Sequence, residues 1–217
     1  MSAPGGGASR LRIAREICRA GRRLSERGLI AGTDGNLSAR CGADRLLVTP
    51  AGRDKGELEP GDLVEVDLAG RVVRGSAAPS TELGMHLVIL SQRPDVGAVV
   101  HAHPPVATGF AVAGKILGDG SLAELVTQFG MVPIVPFGAP GTPELGERVR
   151  PFAREHDALL LANHGAVTLG PTVEAACFRM ESLEQGARIL LVARLLGGAR
   201  PLSPEEVARL MPPGRTT

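Results

Sequence analysis

The segment Val96 to His103 is the tightest constraint on how this chain can fold. It is a nearly unbroken apolar run closed by Pro104-Pro105. A run of this length between turn signals reads as a buried strand. Alternate strand residues share a face, so His101 and His103 aim two imidazoles at one point. A second apolar stretch, Ala158 to Ala162, leads into Asn163-His164-Gly165. Two neutral imidazoles plus a third from elsewhere in the fold make a three-nitrogen site for a divalent metal, with one position left open. A lone histidine on an apolar strand is more often a core residue bonded to a carbonyl, so the reading depends on neighbouring groups. His86 and His156 lack such company and read as structural or exposed.

The remaining segments alternate helix and strand patterns without a strict βαβ rhythm. Leu11, Ala14, Ile17, Cys18, Gly21 and Leu24 recur at helical spacing, which predicts a first helix over about 10–27. Gly32 to Arg40 reads as a polar loop. Leu46 to Thr49 reads as a short strand, and Leu63 to Asp67 with Arg71 to Val73 as a hairpin. Pro79-Ser80-Thr81 opens a helix with Glu82 in its first turn. Further helices are predicted from Pro104-Pro105 to about Ala113, over Leu122 to Gln128, and from Val173 to Leu196. Val132 to Pro136 and Ala166 to Leu169 add strands. Ser203-Pro204-Glu205-Glu206 fits a capping box with Ser203 as N-cap and Glu206 at N3. The expectation is one three-layer αβα sandwich over 10–217, with a mixed, mostly antiparallel central sheet and a disordered N-terminal tail over 1–9.

Composition removes several function classes. The net charge is +1 and no basic tract stands out, which argues against nucleic acid and anionic membranes. The chain has five Phe, no Trp and no Tyr, so base-stacking platforms are lacking. No segment approaches the roughly 20 apolar residues of a membrane span, and the N-terminus lacks the apolar core of a secretory signal. Cys18, Cys41 and Cys177 form no metal-type pair and no disulfide framework, so a cytoplasmic location is expected.

Three polar loops complement the histidines. Gly32-Thr33-Asp34-Gly35-Asn36 offers hydroxyl, amide and backbone N–H donors. Thr49-Pro50-Ala51-Gly52 has a glycine that lets a ligand approach the backbone. Ser80-Thr81 lies at a helix start, where free N–H groups favour an anion. Together they could cradle a phosphate monoester without Lys or Arg, although each alone is also an ordinary turn or cap. Glu82 could match the helix dipole, or ligate a metal and then act as general base.

These motifs, with Pro79-Ser80-Thr81-Glu82, His101-Ala102-His103-Pro104 and Asn163-His164-Gly165, occur in the order found in class II sugar-phosphate aldolases. The chain resembles that family, most closely the L-fuculose-1-phosphate aldolase type within the aldolase/adducin superfamily, from about Arg10 to Leu196. The resemblance implies Zn2+, or another divalent cation such as Mn2+ or Co2+, held by His101, His103 and His164. It implies Glu82 as catalytic acid/base and additional metal ligand. It implies phosphate contacts from Thr33, Gly35, Asn36, Ala51, Gly52, Ser80 and Thr81. It further implies a homotetramer with sites at subunit interfaces, and retro-aldol cleavage of a ketose 1-phosphate to dihydroxyacetone phosphate and an aldehyde through a metal-stabilised enediolate.

Two residues depart from the pattern. Ala51 stands where the family often has a hydroxyl. The tyrosine that protonates the aldehyde oxygen in fuculose-phosphate aldolases is missing; the matching region, about Ser121 to Glu124, has none. Glu124 reads as a surface helix residue. Alternatives are therefore a sugar-phosphate 4-epimerase, or a decarboxylase or dehydratase with the same metal-enediolate chemistry. A non-catalytic adducin-like module is the remaining class; the three histidines and the glutamate argue against it.

Overall fold

The computed structural model describes residues 6–118 and 120–211. In chain order the elements are α1 (Gly6–Glu26), β1 (Asn36–Gly42), β2 (Arg45–Val48), β3 (Val64–Asp67), β4 (Val72–Arg74), α2 (Leu83–Gln92), β5 (Ala98–Ala102), α3 (Pro105–Val112), α4 (Ala123–Phe129), β6 (Ile134–Val135), α5 (Pro143–Ala153), β7 (Ala158–Leu161), β8 (Gly165–Gly170), α6 (Val173–Leu195) and α7 (Pro204–Leu210).

The strands form one eight-stranded sheet in the order β4-β3-β2-β1-β5-β8-β7-β6. Every pairing is antiparallel except β6 with β7. Alternation along the central strands splits the core in two. Leu37, Ala39, Leu47, Val100, Leu160 and Ala166 face α1, α3 and α6. Leu46, Val48, Val66, Val99, Leu159 and Val167 face α2 and α5. Both faces of the sheet are thus covered, which explains why β5 reads as a continuous apolar run. Each fully buried Leu or Val contributes roughly 1.5–3 kcal/mol. The expected αβα sandwich with a mostly antiparallel sheet is what the chain forms.

The structure differs from the sequence reading at four places. The expected loop at 32–40 ends at Asn36, where β1 begins as a central strand between β2 and β5. Its Asn36 and Ser38 are polar yet buried, which disguised the alternation with Leu37 and Ala39. Helix α5 carried no expectation; it starts behind Thr142-Pro143 and covers the β6–β7 end of the sheet. The helix expected from Ser80-Thr81 starts instead at Leu83, with Glu82 as N-cap. Residues 1–5 of the expected disordered tail lie outside the described residues, and Gly6 to Ser9 belong to α1. The capping box forms as read: Glu206 N–H donates to Ser203 Oγ at 3.2 Å, and Ser203 N–H to Glu206 Oε2 at 2.7 Å. No helix among the described residues is long and apolar enough to cross a membrane.

Candidate metal centre and active site

Two chain segments deliver the three histidines to one point. His101 lies on β5, directly across from Asn36 on β1 and Val167 on β8. His103 follows the strand end, where its N–H is held by the Leu29 carbonyl at 3.0 Å. His164 sits in the tight β7–β8 turn, made possible by Asn163 in the left-handed region at φ 57°. One ligating atom from each of the three lies within 4.8 Å of the others.

Buried polar groups hold these positions. The Glu184 carboxylate on α6 accepts N–H bonds from Val106 at 3.1 Å and Ala107 at 2.9 Å. It caps α3 immediately after His103-Pro104 and fixes where the chain leaves the site. Gly165 is required beside the rings. A Cβ there would lie 2.6 Å from His103 Cδ2 and 2.6 Å from the Ala102 carbonyl oxygen. Gly165→Ala is therefore expected to displace His103, weaken metal binding and cost roughly 1–3 kcal/mol of stability. Metal titration and a urea midpoint check this; wild-type values for both would contradict the steric argument.

The donor set fits a cation. His101 Nδ1 lies 3.0 Å from the Ala166 carbonyl and donates its proton there, which leaves the Nε2 lone pair facing the cluster. His103 Nε2 is 3.2 Å from His101 Nε2. Tetrahedral nitrogen ligands about 2.0–2.1 Å from zinc sit about 3.3 Å apart. On its other side, His103 Nδ1 faces Asp34 Oδ2 at 3.4 Å, the arrangement by which a carboxylate orients a ligating imidazole. Glu82 reaches His101 Nε2 at 3.2 Å and His164 Nε2 at 3.5 Å, and its Oε1 is buried without a hydrogen-bond partner. Burial, then the neighbouring His101, lowers the pKa of His103 and takes that of His164 down to about 4. Both rings are therefore neutral ligands at neutral pH. Burial alone would raise the Glu82 carboxyl, but His101, Asn36 and His164 hold it well below the usual carboxylate range. Glu82 is thus an anion beside the histidines.

The polar loops also meet here. Ser80 N–H donates to the Thr49 carbonyl at 3.1 Å, and Ala51 N–H to the Ala78 carbonyl at 3.0 Å, so the second and third loops lie side by side. Leu37 N–H donates to Thr49 Oγ1 at 3.1 Å, which joins the first loop to them. Thr33, Gly52 and Thr81 are exposed, Ala51 is partly so, and Gly35 and Ser80 are buried. Asn36 is buried and its amide is committed: Nδ2 donates to Glu82 Oε2 at 2.8 Å, and Oδ1 faces His86 Nε2 at 2.5 Å. The Ala51 N–H is likewise taken by Ala78, and Ser80 Oγ accepts from Glu82 N–H at 3.3 Å.

Two residues of this site escaped the sequence reading: Lys55 and Glu184. Lys55 is buried, and its ammonium donates to the Thr33 and Arg53 carbonyls. It ties the first loop to the second. Burial lowers its pKa, against Asp34, Asp54 and Glu82. The available signal was its rarity, since Lys115 is the only other lysine of the chain. Glu124 lines a cleft between α4 and α6 whose walls include none of the three histidines. His86 is structural, as read, but it touches the site through Asn36.

Burial, then the neighbouring His101, takes the pKa of His86 from 6.5 down to about 3. Below pH 6.5 the unfolded chain binds a proton here that the folded chain refuses. This contribution is therefore complete above pH 6.5 and fades as pH falls toward 3, with His164 and His103 acting in the same direction. The urea midpoint of the metal-free protein should drop over that window, by an amount equivalent to a few kcal/mol, on the order of 1.4 kcal/mol per pKa unit. A flat midpoint would contradict it.

Known proteins place this site in a family. Residues 15–191 match the family described as Class II Aldolase and Adducin N-terminal domain. The chain is 34% identical over 188 residues to a 3-oxo-tetronate 4-phosphate decarboxylase of Pectobacterium atrosepticum, covering 85% of this chain and 86% of that protein. It is 38% identical over 168 residues to a 5-methylthioribulose-1-phosphate/5-deoxyribulose-1-phosphate aldolase of Rhodospirillum rubrum, covering 77% and 75%. An L-fuculose 1-phosphate aldolase structure superposes with a TM-score of 0.86 at 30% identity, over 97% of this chain and 96% of that one. With the three histidines, Glu82 and the polar loops all inside the matched stretch, the chain belongs to the class II aldolase and adducin N-terminal domain family.

Proposed function

We propose that the protein is a metal-dependent lyase that cleaves a ketose 1-phosphate by a retro-aldol reaction into dihydroxyacetone phosphate and an aldehyde. The observation that carries this reading is the cluster of three histidines around an anionic, buried Glu82 with an unpartnered oxygen. His101, His103 and His164 would hold Zn2+, with Glu82 as a displaceable further ligand. The cation supplies Lewis acidity to the substrate oxygens and opposes the negative charge left by bond cleavage.

Glu82 exchanges a proton at C3 of the dihydroxyacetone phosphate half: in synthesis the carboxylate removes it. In cleavage the C4 hydroxyl gives its proton to solvent water as the C3–C4 bond breaks, while Glu82 takes up a proton from solvent and delivers it to C3. Thr33, Gly35, Ala51, Gly52, Ser80 and Thr81 frame the phosphate and hold the reacting carbons in register with Glu82. Asn36 completes the set from beneath through its bond to the carboxylate. Lys55 and the cation supply the positive charge of the cradle. A homotetramer with sites at subunit interfaces belongs to the same reading. It is supported by the exposed apolar end of α6, where Val192, Leu195 and Leu196 are 54%, 78% and 82% exposed. A cytoplasmic location is supported by three unpaired cysteines, none fully exposed.

One observation favours a second reading. The chain has no tyrosine to act on the aldehyde oxygen, and a relative 34% identical is named a decarboxylase. Loss of carbon dioxide from a 3-oxo acid phosphate needs no acid at an aldehyde oxygen. Zinc-loaded protein incubated with a panel of ketose 1-phosphates, with dihydroxyacetone phosphate assayed by a coupled reductase, tests the first reading. Release of that product supports it. Stereochemical change without fragments points to the epimerase, carbon dioxide from 3-oxo-tetronate 4-phosphate to the decarboxylase, and loss of water to the dehydratase. Failure to bind metal would return the non-catalytic module.

A further inference from the structure

Beneath the histidines lies a buried chain of side chains that the chemistry above does not explain. Ser38 Oγ lies 2.6 Å from His86 Nδ1. His86 Nε2 lies 2.5 Å from Asn36 Oδ1, and Asn36 Nδ2 lies 2.8 Å from Glu82 Oε2. His86 is 0% exposed, Ser38 1% and Asn36 3%. The spacing is built into the fold. Asn36 and Ser38 are two apart on β1, about 6.7 Å along a strand. Glu82 and His86 are four apart at the start of α2, about 6 Å along a helix. One helical turn therefore lies in register over two strand residues, and each polar pair meets its partner. Asn36 is also the cross-strand partner of His101.

Proton counting leaves one arrangement that satisfies every group. A neutral imidazole has one N–H donor and one acceptor. The Ser38 hydroxyl donates to Nδ1, so the proton sits on Nε2 and donates to Asn36 Oδ1. That fixes the amide with its NH2 toward Glu82. The opposite tautomer turns the amide over and sets its oxygen against the carboxylate, which repels it. Burial keeps His86 neutral, so the relay does not become a second charge beside the metal centre.

We propose that Ser38 and His86 are positioning residues, which lock the Asn36 amide and through it hold the Glu82 carboxylate in its working orientation toward the histidines. The inference rests on the reading of Glu82 as proton carrier, but its geometry can be tested without turnover. In metal-free protein labelled with 15N-histidine, NMR should show His86 protonated on Nε2 with Nδ1 as acceptor; the reverse tautomer overturns the relay. In cobalt(II)-substituted protein, His86→Leu should change the visible absorption spectrum at unchanged cobalt content, because Glu82 is released. His86→Gln, which keeps a donor toward Asn36, should restore the wild-type spectrum. A folded His86→Leu protein with the wild-type spectrum also overturns it. If His86→Leu does not fold, Ser38→Ala takes its place in the same comparison.

With a turned-over substrate in hand, kcat should fall about 10–100-fold at constant KM in His86→Leu and recover to within about threefold in His86→Gln. Loss spread equally over KM, or no rescue by Gln, speaks against positioning. If no ketose 1-phosphate is cleaved but the spectroscopic results hold, the relay stands and the reaction assignment falls.

Discussion

His103→Ala should release the metal and lower turnover by roughly 1,000-fold or more, the loss expected when several kcal/mol of Lewis-acid stabilisation disappears. His103 is the informative ligand to remove. Its side chain is 27% exposed, against 0% for His101, so truncation opens little buried volume and the fold survives. Two imidazoles and a carboxylate remain, and the orienting contact from Asp34 loses its partner. Metal content by atomic absorption, far-UV circular dichroism and turnover are read on one sample. Stoichiometric zinc in a folded variant would remove His103 from the ligand set. Partial recovery on adding free imidazole would confirm that the missing group is a nitrogen donor.

Glu82→Gln separates chemistry from metal binding. The amide keeps the size of the carboxylate and can still meet Asn36 and the histidines, so about one cation per chain stays bound through the three imidazoles. Proton exchange at the reacting carbon is lost, which costs on the order of 100–10,000-fold in kcat. KM for the phosphorylated substrate should change little if, as proposed, the polar loops hold the phosphate. Near-normal kcat would take Glu82 out of the proton-transfer role; loss of metal together with activity would make it chiefly a ligand.

Much of the fold was legible, and the exceptions share a cause. Strand β5, both long helices and the capping box at Ser203 follow from apolar periodicity and cap chemistry, which depend on neighbours in sequence. Strand β1 was hidden because one of its two buried faces carries the polar Asn36 and Ser38. Asn36 and Ser38 look like loop residues until His86 and Glu82, some fifty residues away, are seen to satisfy them. The same reason hid Lys55 and Glu184. A buried charge is recognisable only through its partners, here the carbonyls of Thr33 and Arg53 and the α3 N–H groups. The polar loops were visible as motifs. Which of their N–H groups are already spent, as in Ala51, was not.

The sequence by itself determined the two-faced strand, the candidate ligands and the acid beside them, because strand alternation and motif order are local properties. Only the tertiary structure decided that His101, His103 and His164 converge, that Asn36 serves Glu82, and that His86 stands behind both. Those outcomes depend on strand register and on how α2 lies across β1. Register and helix placement are set by packing between distant segments, where burial leaves a polar side chain only the partners that the fold brings to it.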